Sequence, residues 1–179
     1  MNFDFQPQIE NELVRIQPLQ EGDFESLYKI ASDPLLWEQH PNKNRYERPV
    51  FENFFAGAME SKGAFLVLDK KTNNVIGSSR FYELNTEEKS VAIGYTFIGR
   101  DYWGTGYNKA LKHLMINHAF QFLEKIIFHI GATNLRSQIA VGKIGAVKIG
   151  EVDMSYVGEP SRHNFVYEIC KSDWGKNLI

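Results

Sequence analysis

The sequence predicts an α/β (α+β) protein built on a mixed sheet with helices on both faces, and three observations predict it. Three strand-like runs follow one another between residues 64 and 98, separated only by short polar turns. A strand, a glycine turn and a strongly periodic helix follow, in "IGYTFIGRDYWGTGYNKALKHLM" (93–115). The chain then returns through an apolar run, "KIIFHIGA" (125–132), completing a strand–helix–strand unit of the kind that joins parallel strands.

The elements follow in order. "LVRIQPL" (13–19) sets Leu, Val and Ile around Arg15, and Pro18 closes it, so it is a strand. "EGDFESLYKIASD" (21–33) has Phe24, Leu27, Tyr28 and Ile30-Ala31 at helical spacing. Asp33-Pro34 ends that helix, because the residue before proline is driven out of the α region. Residues 35–49 are polar, aromatic and irregular, a short helix plus a long loop; "FENFFAGAMES" (51–61) is a short helix stopped by Gly63. "AFLVLD" (64–69) and "VIGSSRFYEL" (75–84) form a hairpin across "KKTNN", and "SVAIGYTFI" (90–98) is the next strand.

After Gly106, the pairs Ala110-Leu111, Leu114-Met115, His118-Ala119 and Phe122-Leu123 recur every four residues and make one apolar stripe. His118 lies on it and reads as a core or boundary residue. "NLRSQIAVGKIG" (134–145) is a short helix with Asn134 at the N-cap and Gly145 just past its end. Two strand-like segments, 146–156 and 163–171, close the chain around "GEPSR".

Bulk properties exclude several classes. The 179 residues suffice for one domain, and 43% hydrophobic with 23% charged residues is ordinary for a soluble protein. A net charge of −2 without a long basic run does not indicate a general nucleic-acid surface, and leaves room for a local basic patch. No apolar run approaches the ~20 residues of a membrane span, and the N-terminus lacks a signal-peptide core. The single cysteine, Cys170, forms no intrachain disulfide and reads as an inert strand thiol, so a cytoplasmic location is expected. Nothing in the pattern decides between monomer and homodimer.

Three phosphate sites compete for "GRDYWGTGYNK". A Walker loop fails because Thr105-Gly106 stands where Lys-Ser/Thr is needed. A Rossmann fingerprint fails because Lys109 occupies the third glycine position and no acidic ribose reader follows. A coenzyme A pyrophosphate cradle fits: glycines admit a close backbone approach, N–H groups at 104–108 point out of a helix N-terminus, and Arg100 and Lys109 add charge. The turn is also consistent with glycines that serve geometry alone.

The ordered set of motifs resembles the GCN5-related N-acetyltransferases, the GNAT superfamily, and within it the branch of Rim-type ribosomal-protein N-terminal acetyltransferases. "IGYTFIGRDYWGTGYNKALK" is similar to the family's strand, pyrophosphate loop and helix. "ATNLRSQIAVGKIGAVKIGEV", "LVRIQPLQEGDFESLYKIASDPLLW" and "NVIGSSRFYEL" match further family segments in the same order. The resemblance implies a single GNAT-like acetyltransferase domain over 1–179, with a mostly antiparallel central sheet of about six to seven strands. It implies an enzyme that moves acetyl from acetyl-CoA to a primary amine, a protein N-terminal α-amine or a small molecule, with no metal. It assigns coenzyme A contacts to Phe97, Ile98, Arg100, Trp103, Gly104, Thr105, Gly106, Tyr107, Asn108, Asn134 and Ser137, and the thiolate to Ser137. A non-catalytic acyl-CoA-binding module and a transferase using another acyl-CoA donor are the alternatives.

The sequence departs from the family at two points. Asp101 opens the loop in place of a Gln or Arg, and Val91-Ala92-Ile93 lacks the glutamate that relatives place near there as base. Tyr156 takes another customary carboxylate position, and Glu83, Glu151 and Asp153 are further base candidates. Strand alternation puts Arg80 and Tyr82 on one face, where, with Trp37 and His40, they are candidates to line the acceptor site.

Overall fold

A computed structural model describes residues 3–155 and 160–176. Its described residues form one eight-stranded sheet in the order β1-β2-β3-β4-β5-β6-β8-β7. The strands are β1 (Ile9–Glu10), β2 (Val14–Pro18), β3 (Ala64–Asp69), β4 (Val75–Asn85), β5 (Ser90–Ile98), β6 (Lys125–Gly131), β7 (Val147–Met154) and β8 (Arg162–Cys170). The helices are α1 (Phe24–Ala31), α2 (Arg48–Ser61), α3 (Tyr107–Ala119) and α4 (Leu135–Gly142). Adjacent strands run antiparallel except β5 and β6, which α3 joins in parallel.

β3 shows why both faces are covered. All six of its residues are buried. Phe65 and Val67 enter one core with Leu111, Met115 and Ile116 of α3, while Ala64, Leu66 and Leu68 enter the other with Leu27 of α1 and Phe51 and Phe55 of α2. A strand of period two whose first five residues are all apolar needs a helix on each side. The α2 face is the aromatic one, with Phe24, Phe51, Phe54 and Phe55 packed ring to ring and Phe97 of β5 against Phe51 and Phe54.

Three boundaries differ from the sequence reading. β1 adds an eighth strand, two residues long and paired to Ile16 and Arg15, too short to show any period. α2 starts at Arg48 rather than residue 51, with Pro49 in its first turn, where the missing N–H leaves no helical bond unmade. α3 stops at Ala119, although Phe120 and Leu123 of the turn that follows stay buried and prolong the apolar stripe.

The feature that matters for function is the seam between β5 and β6. They pair only at Ser90–Lys125, Val91–Ile126 and Ala92–Ile127. Beyond that point β5 continues along β4 to Ile98 and β6 along β8 to Gly131, so the two strands part and a cleft opens at their C-terminal ends.

Candidate active site

One wall of the cleft is β5, and β5 is bulged. Gly94 pairs with Arg80 and Phe97 with Ser78, so Tyr95 and Thr96 together face Ser79 alone. Tyr95 takes the left-handed conformation, φ 53°. An extra residue bends a strand and breaks its ladder locally. The left-handed residue is Tyr95 rather than its neighbour Gly94, and Gly94 serves something else. A Cβ on Gly94 would lie 2.8 Å from Cε1 of Tyr82, whose ring crosses β5 there. Tyr82 thereby reaches β6, and its hydroxyl lies 2.9 Å from Nδ1 of His129.

At the end of β5 stands the glycine turn. Gly104 and Gly106 have φ of +73° and +90°, a region that side chains rarely enter. α3 begins at Tyr107 with Gly106 at its N-cap and no side chain bonded to the free donors of its first turn. Its first internal bond runs from Ala110 N–H to Gly106 O, at 2.9 Å, which leaves the N–H groups before it outside the helical ladder. The loop is braced from behind. Trp103 Nε1 donates to Ile98 O at 2.9 Å, Thr105 Oγ1 to Tyr102 O at 2.6 Å, and Tyr107 Oη to the Asp69 carboxylate at 3.1 Å. These residues fit a pyrophosphate: exposed glycines, uncapped N–H groups and a dipole of the right sign.

Arg100 is paired with Asp33, which ties the loop to the turn two residues past the end of α1. The arginine that lies over the loop is Arg136 of α4, its Cζ 3.9 Å from the centre of the Trp103 ring. The sequence reading missed Arg136. A signal existed: a cation in the first turn of a helix sits where the helix dipole disfavours it, so it needs a partner elsewhere.

The opposite wall is β6 and α4. Asn134 caps α4 by accepting from Ser137 N–H at 3.2 Å, and the Ser137 hydroxyl, partly exposed, makes no hydrogen bond among the described residues. Gln138 Nε2 donates to Gly131 O and Ala132 O and fixes α4 to the end of β6.

The segment between α1 and α2 spans the cleft. Trp37, 3% exposed, packs on Phe97 and donates its indole N–H to Ala31 O at 2.7 Å. Gln39 accepts from Arg136 N–H, and Pro41 covers Gly131 so closely that a Cβ there would lie 2.3 Å from Pro41 Cγ. His40 is held neutral: burial, with Arg45 Nη1 3.2 Å from its Nε2, pushes it down to about 3, so it is no base near neutral pH. Arg80 is buried with its guanidinium 3.9 Å above the Tyr95 ring, and desolvation lowers it to about 10.

The remaining candidates lie elsewhere. Glu151 and Asp153 of β7 grip His163 of β8 at 3.0 and 2.9 Å on the outer hairpin, with β6 and β8 standing between β7 and β5. Tyr156 lies outside the described residues. Cys170 pairs with Lys125 at the far end of β6, its thiol raised by burial and by Glu168. His118 bonds Asp4 O at 2.9 Å in the core, as its place on the stripe implied. A depression of about 540 Å³ lined by Phe3, Asp4, Phe5, Ser61 and Lys62 shares no residue with the cleft. No cluster of three or more His, Cys, Asp or Glu among the described residues is placed to hold a metal, and no described helix is long and apolar enough to cross a membrane.

Residues 14–147 match the family profile described as an acetyltransferase (GNAT) domain. Solved structures share the fold. A GCN5-related N-acetyltransferase from Brucella melitensis aligns over 97% of this chain and 82% of its own, at 18% identity and a TM-score of 0.82. A GNAT-family acetyltransferase from Bacillus anthracis aligns over 93% and 99%, at 21% identity and 0.74. Mycobacterium smegmatis RimJ, solved with CoA-disulfide, aligns over 89% and 83%, at 16% identity and 0.69. With a parted β5–β6 seam, a bulge on one wall and an uncapped helix at its end, the chain belongs to the GNAT family of acetyl-CoA-dependent N-acetyltransferases.

Proposed function

We propose that this protein is a single-domain cytoplasmic enzyme that transfers acetyl from acetyl-CoA directly to a primary amine, a protein N-terminal α-amine or a small-molecule amine, within a ternary complex. The observation that carries the reading is the succession along β5 of the parted seam, the Tyr95 bulge and, at the strand's end, the uncapped α3 N-terminus. Acetyl-CoA supplies the activated acyl group. N–H groups at Gly104–Asn108 receive its pyrophosphate, Arg136 and Lys109 add charge at the loop, and Arg100 holds the loop through Asp33. The unladdered edge of β5 around Phe97 and Ile98 holds the pantetheine and donates to the thioester carbonyl. Asn134, while capping α4, lines that arm, and the unbonded Ser137 hydroxyl faces the departing thiolate. The acceptor enters on the α2 side, where Arg80, Tyr82 and Tyr95 line the bulge and Trp37 backs Phe97.

Calorimetric titration of CoA, acetyl-CoA and NAD(H) tests this on wild type and Gly104→Glu. At φ +73° a glutamate is strained, and its charge opposes the phosphates. Micromolar acetyl-CoA affinity, weakened at least ~100-fold in a variant with an unchanged circular dichroism spectrum, is expected, since charge-assisted hydrogen bonds to the pyrophosphate are worth up to ~3 kcal/mol. Absence of acetyl-CoA binding by the wild type at millimolar concentration sinks the reading. Tight binding of a longer acyl-CoA in its place names another donor, and binding without turnover of any amine names a non-catalytic binder.

A further inference from the structure

We propose that His129 of β6 is the group that takes the proton from the acceptor amine, with Tyr82 of β4 as the residue that positions its imidazole; the assignment rests on the acetyltransferase reading above. The customary carboxylate is missing from the start of β5; of the described carboxylates, Glu83 is paired with His129, while Glu168 of β8 shares the face in register with Ile127.

His129 stands two residues past the last β5–β6 pair, at the mouth of the parting, with its side chain 11% exposed. Its neighbours in β6, Phe128 and Ile130, are buried in the α3-side core, so strand alternation turns His129 to the α2 side, where Tyr82 meets it. Tyr82 gets there only because residue 94 has no side chain. That is a costly arrangement for packing alone: a strand glycine, a bulge beside it and a tyrosine laid across the sheet, all converging on one imidazole nitrogen.

The groups around the ring decide its tautomer. Among the described residues, the titratable groups recorded at the ring are Tyr82 and Glu83, both from β4, while β8 presents Val166 in register and Glu168 two residues further along the same face. Glu83 is itself a left-handed bulge residue, φ 50°, and its carboxylate lies 3.9 Å from Nδ1. A carboxylate and a hydroxyl oxygen both at Nδ1 favour the proton there. Nε2 then carries the lone pair, has no hydrogen-bond partner among the described residues and is not sealed from solvent. Burial lowers the imidazole below its ordinary value, so it is neutral and able to accept at pH 7.

The step balances. An ammonium proton passes from the acceptor to Nε2, directly or through one water. The freed nitrogen lone pair forms the C–N bond at the thioester carbonyl, and the C–S bond breaks to thiolate. The second amine proton and the proton on Nε2 leave through the hydroxyl groups and solvent, one of them neutralising the thiolate. Transfer to an imidazole below 6.5 is uphill for both amines, and less so for an α-amine, of reference pKa about 8, than for a lysine amine near 10.4.

The test has two readouts. Nitrogen-15 NMR of the wild type should show His129 neutral at pH 7 with its proton on Nδ1; this requires no acceptor. A proton on Nε2 overturns the proposal. Turnover is then followed by thiol release with a panel of N-terminal serine and alanine peptides, spermidine and phenethylamine. His129→Ala should keep acetyl-CoA affinity and lose about 100-fold in kcat near neutral pH. The acid limb of kcat/KM, below pH 6.5 in the wild type because the imidazole must be unprotonated, should disappear, and added imidazole should restore part of the rate. Tyr82→Phe and Gly94→Ala should each lose about 10-fold and move that limb, with His129 still present. Unchanged turnover and pH profile in His129→Ala overturn the assignment. Failure of the wild type to bind acetyl-CoA overturns the underlying reading as well, and the binding measurement separates the two failures.

Discussion

Alanine at position 77 is expected to lower stability by ~3 kcal/mol or more, a change at the upper end for one methyl group. Its Cβ would lie 2.0 Å from the carbonyl oxygen of Phe97, 2.9 Å from the carbonyl carbon and 3.0 Å from Cα of Ile98. These are backbone atoms, so no rotamer relieves the overlap. Gly77 and Ile98 are in register, and Gly99 N–H donates to Ile76 O beside them, so β4 and β5 must separate in the middle of the sheet. Urea titration should show a lower midpoint with little change in slope. Gly57→Ala is the matched control. Gly57 lies inside α2 with nothing within 4 Å of its Cβ position, and alanine there should stabilise by up to ~1 kcal/mol. A wild-type midpoint for Gly77→Ala would mean that the strands part without penalty.

The two glycines show what a sequence discloses. Both are simply glycines inside elements, and only the backbone opposite tells them apart. Periodicity made β3, β4, β5 and α3 legible, because an all-apolar run of five and a four-residue stripe each have one stable way to pack. It could not show β1, whose two residues have no period, nor the start of α2, which lies in a polar and aromatic stretch held by tertiary contacts such as Trp37 on Phe97.

The site divides in the same way. Gly104 and Gly106 were legible because their left-handed backbone requires glycine. Asn134 was legible because a cap is local chemistry. Tyr95 was not, since nothing in a tyrosine announces positive φ. His129 was not, since "KIIFHIGA" reads as a buried strand and its partner is 47 residues away. The clue was modest: Lys125, Ile127 and His129 alternate with the fully apolar Ile126, Phe128 and Ile130, so one face of that strand is not core. Arg100 illustrates the reverse. Its position beside the loop suggested a phosphate contact, and its ion pair with Asp33 depends on a helix end that no local pattern relates to it.

Replacing Lys112 by methionine is expected to stabilise the protein at pH 6 by ~3 kcal/mol, and the gain should shrink as pH rises. Lys112 projects from α3 toward the seam. It is 6% exposed, its Nζ lies 2.5 Å from Thr96 Oγ1 on the bulge, and the Phe128 ring of β6 stands 5.7 Å away. Desolvation pushes its ammonium down to about 7, against 10.5 for an ordinary lysine. Between pH 7 and 10.5 the unfolded chain holds a proton on this lysine that the folded chain has released, so stability rises with pH across that window. Below pH 7 both states are protonated and the full penalty of the buried charge remains. The whole shift corresponds to at most ~5 kcal/mol, and the lost bond to Thr96 reduces what methionine recovers. Thr96 keeps Ser79 Oγ at 2.8 Å, so the substitution leaves its hydroxyl satisfied. Paired urea titrations at pH 6, 7.5 and 9 check the prediction, with the difference between the two proteins isolating this one group. A pH-independent difference would mean that water reaches the ammonium. A difference that falls with pH would mean that the fold retains a destabilising charge directly beneath the bulge, where a side chain of methionine's size would otherwise serve packing better.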